Sequence, residues 1–346
     1  MNKIHKKVVS IISFLVIFYL PLPTNSMGLP LDSAAPEPQS QGYIVQFKDE
    51  PLIAIPANSQ IKARKQQLND SFSAHKLSIE RLVPDLGVAQ EFKNVFSGVY
   101  LNISETEAAE ISKLDFVEGV YPNSEVKAAL MDSVPQIGAG DVWDLGYTGE
   151  GVTIAIIDTG IDYTHPDFFG KVIGGYDFIN NDSDPMDDHG HGTHVAGIAA
   201  GNGVLKGVAP GADLLAYKVL DSQGSGWSNE IISAIERAVD PNQDGNFSDR
   251  ADIISMSFGG WGDPNDPMST AVDNAVRAGV VAVAAAGNAG PNSRTIGSPG
   301  TAREAITVGA VDKNDIIPSF SSRGPVKWAG EILVKPDIVA PGVGIC

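Results

Sequence analysis

Three short segments hold side chains of the kinds that do chemistry. In IAIIDTGID (154–162), Asp158 follows four apolar residues and is expected to emerge where a strand ends. In HGHGTHVAG (189–197), His189, His191 and His194 bring half of the six histidines into six positions. In AAAGNAGP (284–291), a Val/Ala-rich run leads into a glycine-flanked Asn288. The histidines admit two chemistries, a shared zinc ion or one imidazole acting as general base. The i, i+2, i+5 spacing does not put three rings on one helical face, and neither HExxH nor a fourth ligand is present, which disfavours zinc. A strand-end aspartate is by itself more often an N-cap or a sugar ligand, and the alternative reading of Asn288 is a left-handed turn residue.

Two acidic loops suit a hard cation. YDFINNDSDP (176–185) carries Asp177, Asn180, Asp182 and Asp184 on a stretch too polar to pack. DPNQDGNFSD (240–249) places Asp240, Asn242, Asp244 and Asn246 at positions 1, 3, 5 and 7 with Gly245 at 6, the order of an EF-hand loop. Position 12 is Ala251, so Asp249 would have to close the shell. Solvated acidic turns are the alternative reading of both.

The elements that must position these residues follow from the apolar pattern. Val152–Ile157, Asp213–Leu220, Asp252–Ser257, Val280–Ala285 and Ala305–Val311 read as strands, with helices at His194–Gly201, Ser228–Val239 and Met268–Gly279. Strands joined by crossover helices form a parallel sheet with helices on its faces, and its ligand crevice lies beyond the carboxyl ends of the strands. A smaller α+β unit precedes this α/β one. GYIVQF (42–47), Phe92–Ile103 and Gly119–Val126 read as strands and Ala57–Leu82 as a helix. Ser104 and Glu107 form a capping box that opens a further helix. The order is that of a ferredoxin-like β-α-β-β-α-β unit.

Lys plus Arg number 24 against 42 Asp plus Glu, a net charge of −18, which disfavours nucleic acid or an anionic membrane as partner. Residues 1–132 hold 12 basic and 15 acidic side chains, so residues 133–346 carry −15 of that charge. The single cysteine, Cys346, leaves no internal disulfide and no Cys-based zinc site. Lys3, Lys6 and Lys7 precede an apolar run, Val8–Leu20, and then Pro21, Pro23, Thr24 and Ser26, the order of a secretory signal too short to span a bilayer. The expected organisation is therefore a signal at 1–26, a linker at 27–41, the smaller unit at 42–130 and the larger at 131–346. The product is expected to be secreted, extracellular and monomeric, with no membrane contact once the signal is removed.

IDTGID together with HGTHVAG resembles the subtilisin-like serine proteases, the subtilases of peptidase family S8. The resemblance implies that Asp158 orients and stabilises His191, that His191 is the general base, and that Asn288 donates to the oxyanion. His194 is then a buried, helix-packing residue. Gly224, Ser225 and Gly226 resemble one edge of the family's cleft and Ser257, Phe258 and Gly259 the other, with room for a peptide as an added strand between them. Ala286 and Gly287 would line the pocket for the residue before the scissile bond, leaving space for a large apolar side chain. Residues 42–126 are similar to the family's propeptide, a folding template and inhibitor, here released by a cut within 128–133. Some relatives hold calcium at a loop placed like 177–184, so calcium is the expected cofactor and no organic one is.

FSSRGP (320–325) and KPDIVAPG (335–342) stand where the family's sequence precedes a GTSMA motif bearing the nucleophilic serine at a helix start. Neither GTSMA nor GxSxG occurs here, and Ser321 and Ser322 belong to the loop motif before that segment. The expectation is a serine endopeptidase precursor cut short before its catalytic serine, its sheet incompletely covered and the polypeptide inactive as it stands. The alternatives are a noncatalytic binder of peptides or proteases, and a zinc hydrolase using the three histidines. A dinucleotide site is excluded, since no GxGxxG follows the first strand of the larger unit.

Overall fold

Apolar residues that alternate in the smaller unit and run continuously in the larger one produce two kinds of sheet. The computed structural model describes residues 42–54, 61–84, 86, 90–123, 125–128, 134 and 136–343. The expected signal, the linker and residues 129–133 of the expected cut lie outside the described residues.

The smaller unit comprises β1 (Tyr43–Phe47), α1 (Ile61–Leu82), β2 (Gln90–Phe92), β3 (Gly98–Leu101), α2 (Glu105–Ile111) and β4 (Val117–Pro122), with β5 (Glu125–Ala128) following it. Its antiparallel sheet has the order β2-β3-β1-β4. The period of two divides β1 between two cores. Val45 and Phe47 pack with Leu68, Phe72 and Ile79 of α1, whereas Ile44 turns to the opposite face with Phe92, Val95 and Phe96. The stretch expected as one strand over 92–103 is two, β2 and β3, because residues 93–97 turn to bury Val95 and Phe96. Likewise 119–126 divides into β4 and β5, which join different sheets.

The larger unit runs α3 (Ala139–Asp144), β6 (Thr153–Asp158), β7 (Val172–Asp177), α4 (His191–Ala200), β8 (Asp213–Lys218), β9 (Ser225–Trp227), α5 (Ser228–Val239), β10 (Ile253–Met256), β11 (Phe258–Gly259), α6 (Pro267–Arg277), β12 (Val281–Ala285), β13 (Ile306–Val311), β14 (Val326–Trp328), β15 (Glu331–Leu333) and β16 (Ile338–Pro341). Seven of these strands form a parallel sheet, β16-β13-β12-β10-β6-β8-β7. Ala155 and Ile157 of β6 pack in the core with α5 and α6, and Ile154 and Ile156 in the core with α4, so the strand is buried on both faces. Edge strands β7 and β16 were not expected. VIGGYD has two glycines and little intrinsic strand preference, and pairing with β8 holds it extended. Among the described residues no helix is long and apolar enough to cross a membrane.

The two units meet where the second face of the small sheet lies on α5 and α6. Ile44, Phe92, Val95 and Phe96 share a core with Ile231, Ile235, Ala271 and Ala275. Glu236 of α5 sits under the turn and accepts the amides of Lys93, Asn94, Val95 and Phe96 at 3.1, 2.9, 2.7 and 3.2 Å. Burial pushes its carboxyl up to about 7, against the pull of those four donors.

Glu236→Ala leaves four inward amides without their acceptor and is expected to cost about 3 kcal/mol, read as a lower urea midpoint. Because the folded-state carboxyl lies above its ordinary 4.5, its contribution is complete below that value and is lost as pH rises through about 7. Glu236→Gln, which does not titrate, is expected to flatten that part of the stability–pH curve.

Candidate active site

Parallel pairing brings the carboxyl ends of β6, β10 and β12 to one edge. Ile157 is level with Met256, and Met256 with Ala284, so Asp158, Ser257 and Ala285 emerge side by side. Asp158 is fully buried, and its Oδ1 lies 2.5 Å from Nδ1 of His191, itself 2 % exposed. A carboxylate can only accept, so Nδ1 carries the proton of this bond. The Thr159 amide donates to the same Oδ1 at 2.7 Å, while Oδ2 is buried with no hydrogen-bond partner among the described residues. An unsatisfied buried oxygen costs about 1–3 kcal/mol, a penalty characteristic of sites kept for chemistry rather than stability.

Two glycines permit this contact. A Cβ at Gly192, in the first turn of α4, would stand 2.1 Å from the Gly160 carbonyl oxygen and 3.1 Å from the Asp158 Cβ. Gly160 itself has φ of +106°, and a Cβ there would meet the Pro185 carbonyl oxygen at 2.5 Å. Only a bare backbone lets the helix start lie against the strand end. The helix begins at His191, three residues before the expected start.

Asp187 fixes the helix start and was missed in the sequence, where it is one of four acids shortly before the histidines. Its Oδ1 accepts the amides of His189 and Gly190 and the Thr159 hydroxyl, all at 2.9 Å. Its Oδ2 accepts the Thr193 amide and hydroxyl at 2.8 and 2.5 Å. Burial works against the charge, but the bonds from Thr193, Gly190 and His189 hold the carboxyl below the usual carboxylate range. The Ser/Thr/Asp/Asn signal for an N-cap was applicable to it, displaced because the formal cap is Gly190 at φ +97°. Lys218, also missed, is buried at the end of β8 and donates to the Thr159 and Leu220 carbonyls at 2.9 and 3.0 Å and to Asp188 at 2.5 Å.

The three histidines part company. His189 is exposed beside Gly224, whose Cβ would stand 3.2 Å from its Nε2. His194 is half-buried rather than buried as expected, because its side of α4 lines a cavity of about 700 Å³ with Trp143, His165 and Phe168. Among the described residues no three or more His, Cys, Asp or Glu side chains are grouped to hold a metal. In the 177–184 loop, Asp177 accepts the Ile179 and Asn180 amides and the Asn180 side chain, Asp182 accepts the Asp184 amide, and Asp184 accepts the Tyr163 hydroxyl. Those oxygens shape the turn.

Gly224, Ser225 and Gly226 lead into and form β9, and Ser257, Phe258 and Gly259 lead into and form β11. Between these edges lies β5, in a three-stranded sheet of order β11-β5-β9. Both pairings are antiparallel: Val126 faces Gly226, Lys127 faces both Ser225 and Gly259, and Ala128 faces Phe258. The chain's own segment thus takes the place expected for an extended peptide. Ala286 is buried beyond β12, and Asn288 is exposed. The left-handed turn residue there is Gly287, at φ +102°, and not Asn288. Ser321 and Ser322 are buried and accept the amides of Ala310 and Ala289 at 2.9 and 3.1 Å, so both serve as loop braces.

A family model described as the Subtilase family matches residues 149–345, and one described as Peptidase inhibitor I9 matches residues 42–129. The chain is 41 % identical over 319 residues to the minor extracellular protease Vpr of Bacillus subtilis, covering 83 % of this chain and 38 % of that protein. It is 44 % identical over 254 residues to the serine protease AprX of the same organism, covering 68 % and 56 %. Thermitase of Thermoactinomyces vulgaris is 40 % identical over 225 residues, covering 64 % and 73 %. The chain therefore spans about four- to six-tenths of the length of Vpr and AprX.

Asp187→Ala removes the cap on α4 and is expected to lower stability by about 2 kcal/mol. With its carboxyl held below the ordinary 3.8, Asp187 stabilises the fold above that value, and the contribution is lost as pH falls below it toward the lower folded-state value. Denaturant titrations of wild type and Asp187→Asn between pH about 3 and about 6 are expected to converge at the acid end.

Proposed function

Since the chain belongs to the subtilase family, we propose that it is the precursor of a secreted serine endopeptidase whose residues 42–128 inhibit its own cleft. The observation that carries this reading is β5, which fills the gap between β9 and β11 with the chain's own backbone at the edge of the sheet where Asp158 ends β6 and His191 opens α4. Strand addition provides main-chain hydrogen bonds on both sides and orders an extended peptide before any side chain is recognised. Protein or peptide substrates would bind in the same way once the segment leaves.

In the proposed reaction the lone pair at His191 Nε2 takes the proton of a serine hydroxyl as it attacks the scissile carbonyl. Asp158 holds the tautomer and stabilises the imidazolium that forms. The Asn288 amide, exposed just past the end of β12, donates to the oxyanion. Ala286 and Gly287 bound the pocket for the residue before the scissile bond. These 346 residues contain no GTSMA segment, so the attacking hydroxyl is a component that the present sequence does not supply by that pattern. The name of one relative, an extracellular protease, agrees with export directed by residues 1–26.

The test is to extend the chain with a GTSMA-bearing segment of a subtilase and assay peptide hydrolysis. Activity is expected, and His191→Ala is expected to remove it by about 10⁶-fold, the loss known for subtilisin itself. Asn288→Ala is expected to lower turnover by about 10²- to 10³-fold, again the subtilisin magnitude. An extended, folded chain that binds peptides without cutting them would support the noncatalytic reading instead.

A further inference from the structure

Two of the chain's four tryptophans stand at one end of the cleft, beyond the residues that the proposed reaction uses. Trp227 ends β9, is half-buried, and pairs with residue 125 in the antiparallel ladder, so the two positions share a face of the sheet. On the opposite edge Gly259 of β11 pairs with residue 127, and the chain runs on antiparallel to β5. Two positions later it reaches Trp261, at about the level of residue 125. Trp261 is 77 % exposed, yet its backbone is braced on both sides. Gly260 exchanges both of its backbone bonds with Ser298, at 2.9 and 3.0 Å. At Gly262 a Cβ would stand 2.3 Å from Asp266 Oδ2 and 2.5 Å from the Ser298 Cβ, so only a bare backbone closes the turn there. Asp266 accepts the Asp263 and Ser269 amides at 2.9 and 2.8 Å, which ties the loop to the start of α6. An indole held out to solvent by a braced loop contributes little packing and marks a contact surface.

This end of the cleft is also anionic. Glu230 accepts the Trp227 amide at 2.8 Å, and Asp263 lies two residues beyond Trp261. Their charges are felt across the boundary with the smaller unit. Burial and then the Glu230 charge hold the Tyr100 hydroxyl above its ordinary value, and burial and then the Asp263 charge do the same for Tyr121. Arg303, a cation at the same loop, is engaged with the Pro264 carbonyl, Asn265 and Glu331. Two indoles, each with a carboxylate beside it in the sequence, suit a cation that stacks on the rings, and the charge of −15 over residues 133–346 favours its approach.

We propose that Trp227 and Trp261 form an outer subsite of the cleft that takes the substrate side chain at the level of residue 125 and selects arginine or lysine there. This rests on the reading of the cleft as a site for extended peptides. Strand addition between β9 and β11 sets the register of the peptide backbone, and the paired indoles then read one side chain of it. The chain's own residue at that level is a glutamate, the opposite charge. The subsite therefore favours a basic substrate over the segment that fills the cleft in the precursor.

Hydrogen–deuterium exchange on the intact chain tests it with no cleavage step, because position 125 can be varied in place. Glu125→Arg is expected to slow exchange at 126–128 by about three- to tenfold relative to Glu125→Leu, and Trp261→Ala to remove that difference. Raising salt from about 0.05 to about 0.5 M is expected to shrink it. Trp261 is exposed, so Trp261→Ala is expected to fold, with circular dichroism as the control. Protection in Glu125→Leu equal to or above that in Glu125→Arg would overturn the basic preference, and a difference that survives Trp261→Ala would overturn the subsite. Fast exchange at 126–128 in every variant would instead count against the occupied cleft. Synthetic peptides of residues 121–128 with Arg or Leu at 125 are then titrated into the wild-type chain, where tighter binding of the Arg peptide is expected and equal affinity overturns the subsite.

Discussion

The site turns on burying the Asp158 carboxyl at the end of a central strand with hydrogen-bond donors in place of water. A carboxylate in that position survives only if donors replace water, and here the Thr159 amide and the His191 ring supply them. The rest of the local structure serves that contact. Gly160 and Gly192 let helix and strand approach, Asp187 ties the first amides of α4 to Thr159, and Lys218 draws the Thr159 and Leu220 carbonyls together from beneath.

The second constraint concerns backbone rather than side chains. β9 and β11 are short edges facing one another, and open edges expose unpaired amides and carbonyls that recruit another strand. In the precursor β5 is that strand. It is delivered by a sheet anchored on α5 and α6 through Glu236 and through Asn229, which exchanges hydrogen bonds with Asn123 just before β5. Contact with the smaller unit is thus spread over a helical platform, with four residues of chain, β5, seated between β9 and β11.

Much of this was legible in the sequence. Period-two and continuous apolar runs separate the two sheet types, and IDTGID, HGTHVAG and the two cleft edges fall where the strand ends place them. Other parts were not legible, for physical reasons. β7 has a glycine-rich sequence held extended by its neighbour, and β2 and β3 read as one strand because the turn between them is itself apolar and buried. Asp187 reads as one acid among several until its five donors are seen. The occupant of the cleft required knowing that β5 leaves the sheet of β4, a long-range pairing that no local pattern encodes.

Hydrogen–deuterium exchange on the intact chain bears most directly on the central claim, that residues 125–128 fill the cleft. If β5 is the middle strand, the amides of 125–128 are expected to exchange as slowly as those of β9 and β11 and to lose protection together with them. Fast exchange at 125–128, with β6 and β10 fully protected, would contradict the assignment of that segment to the cleft and with it the inhibited-protease reading.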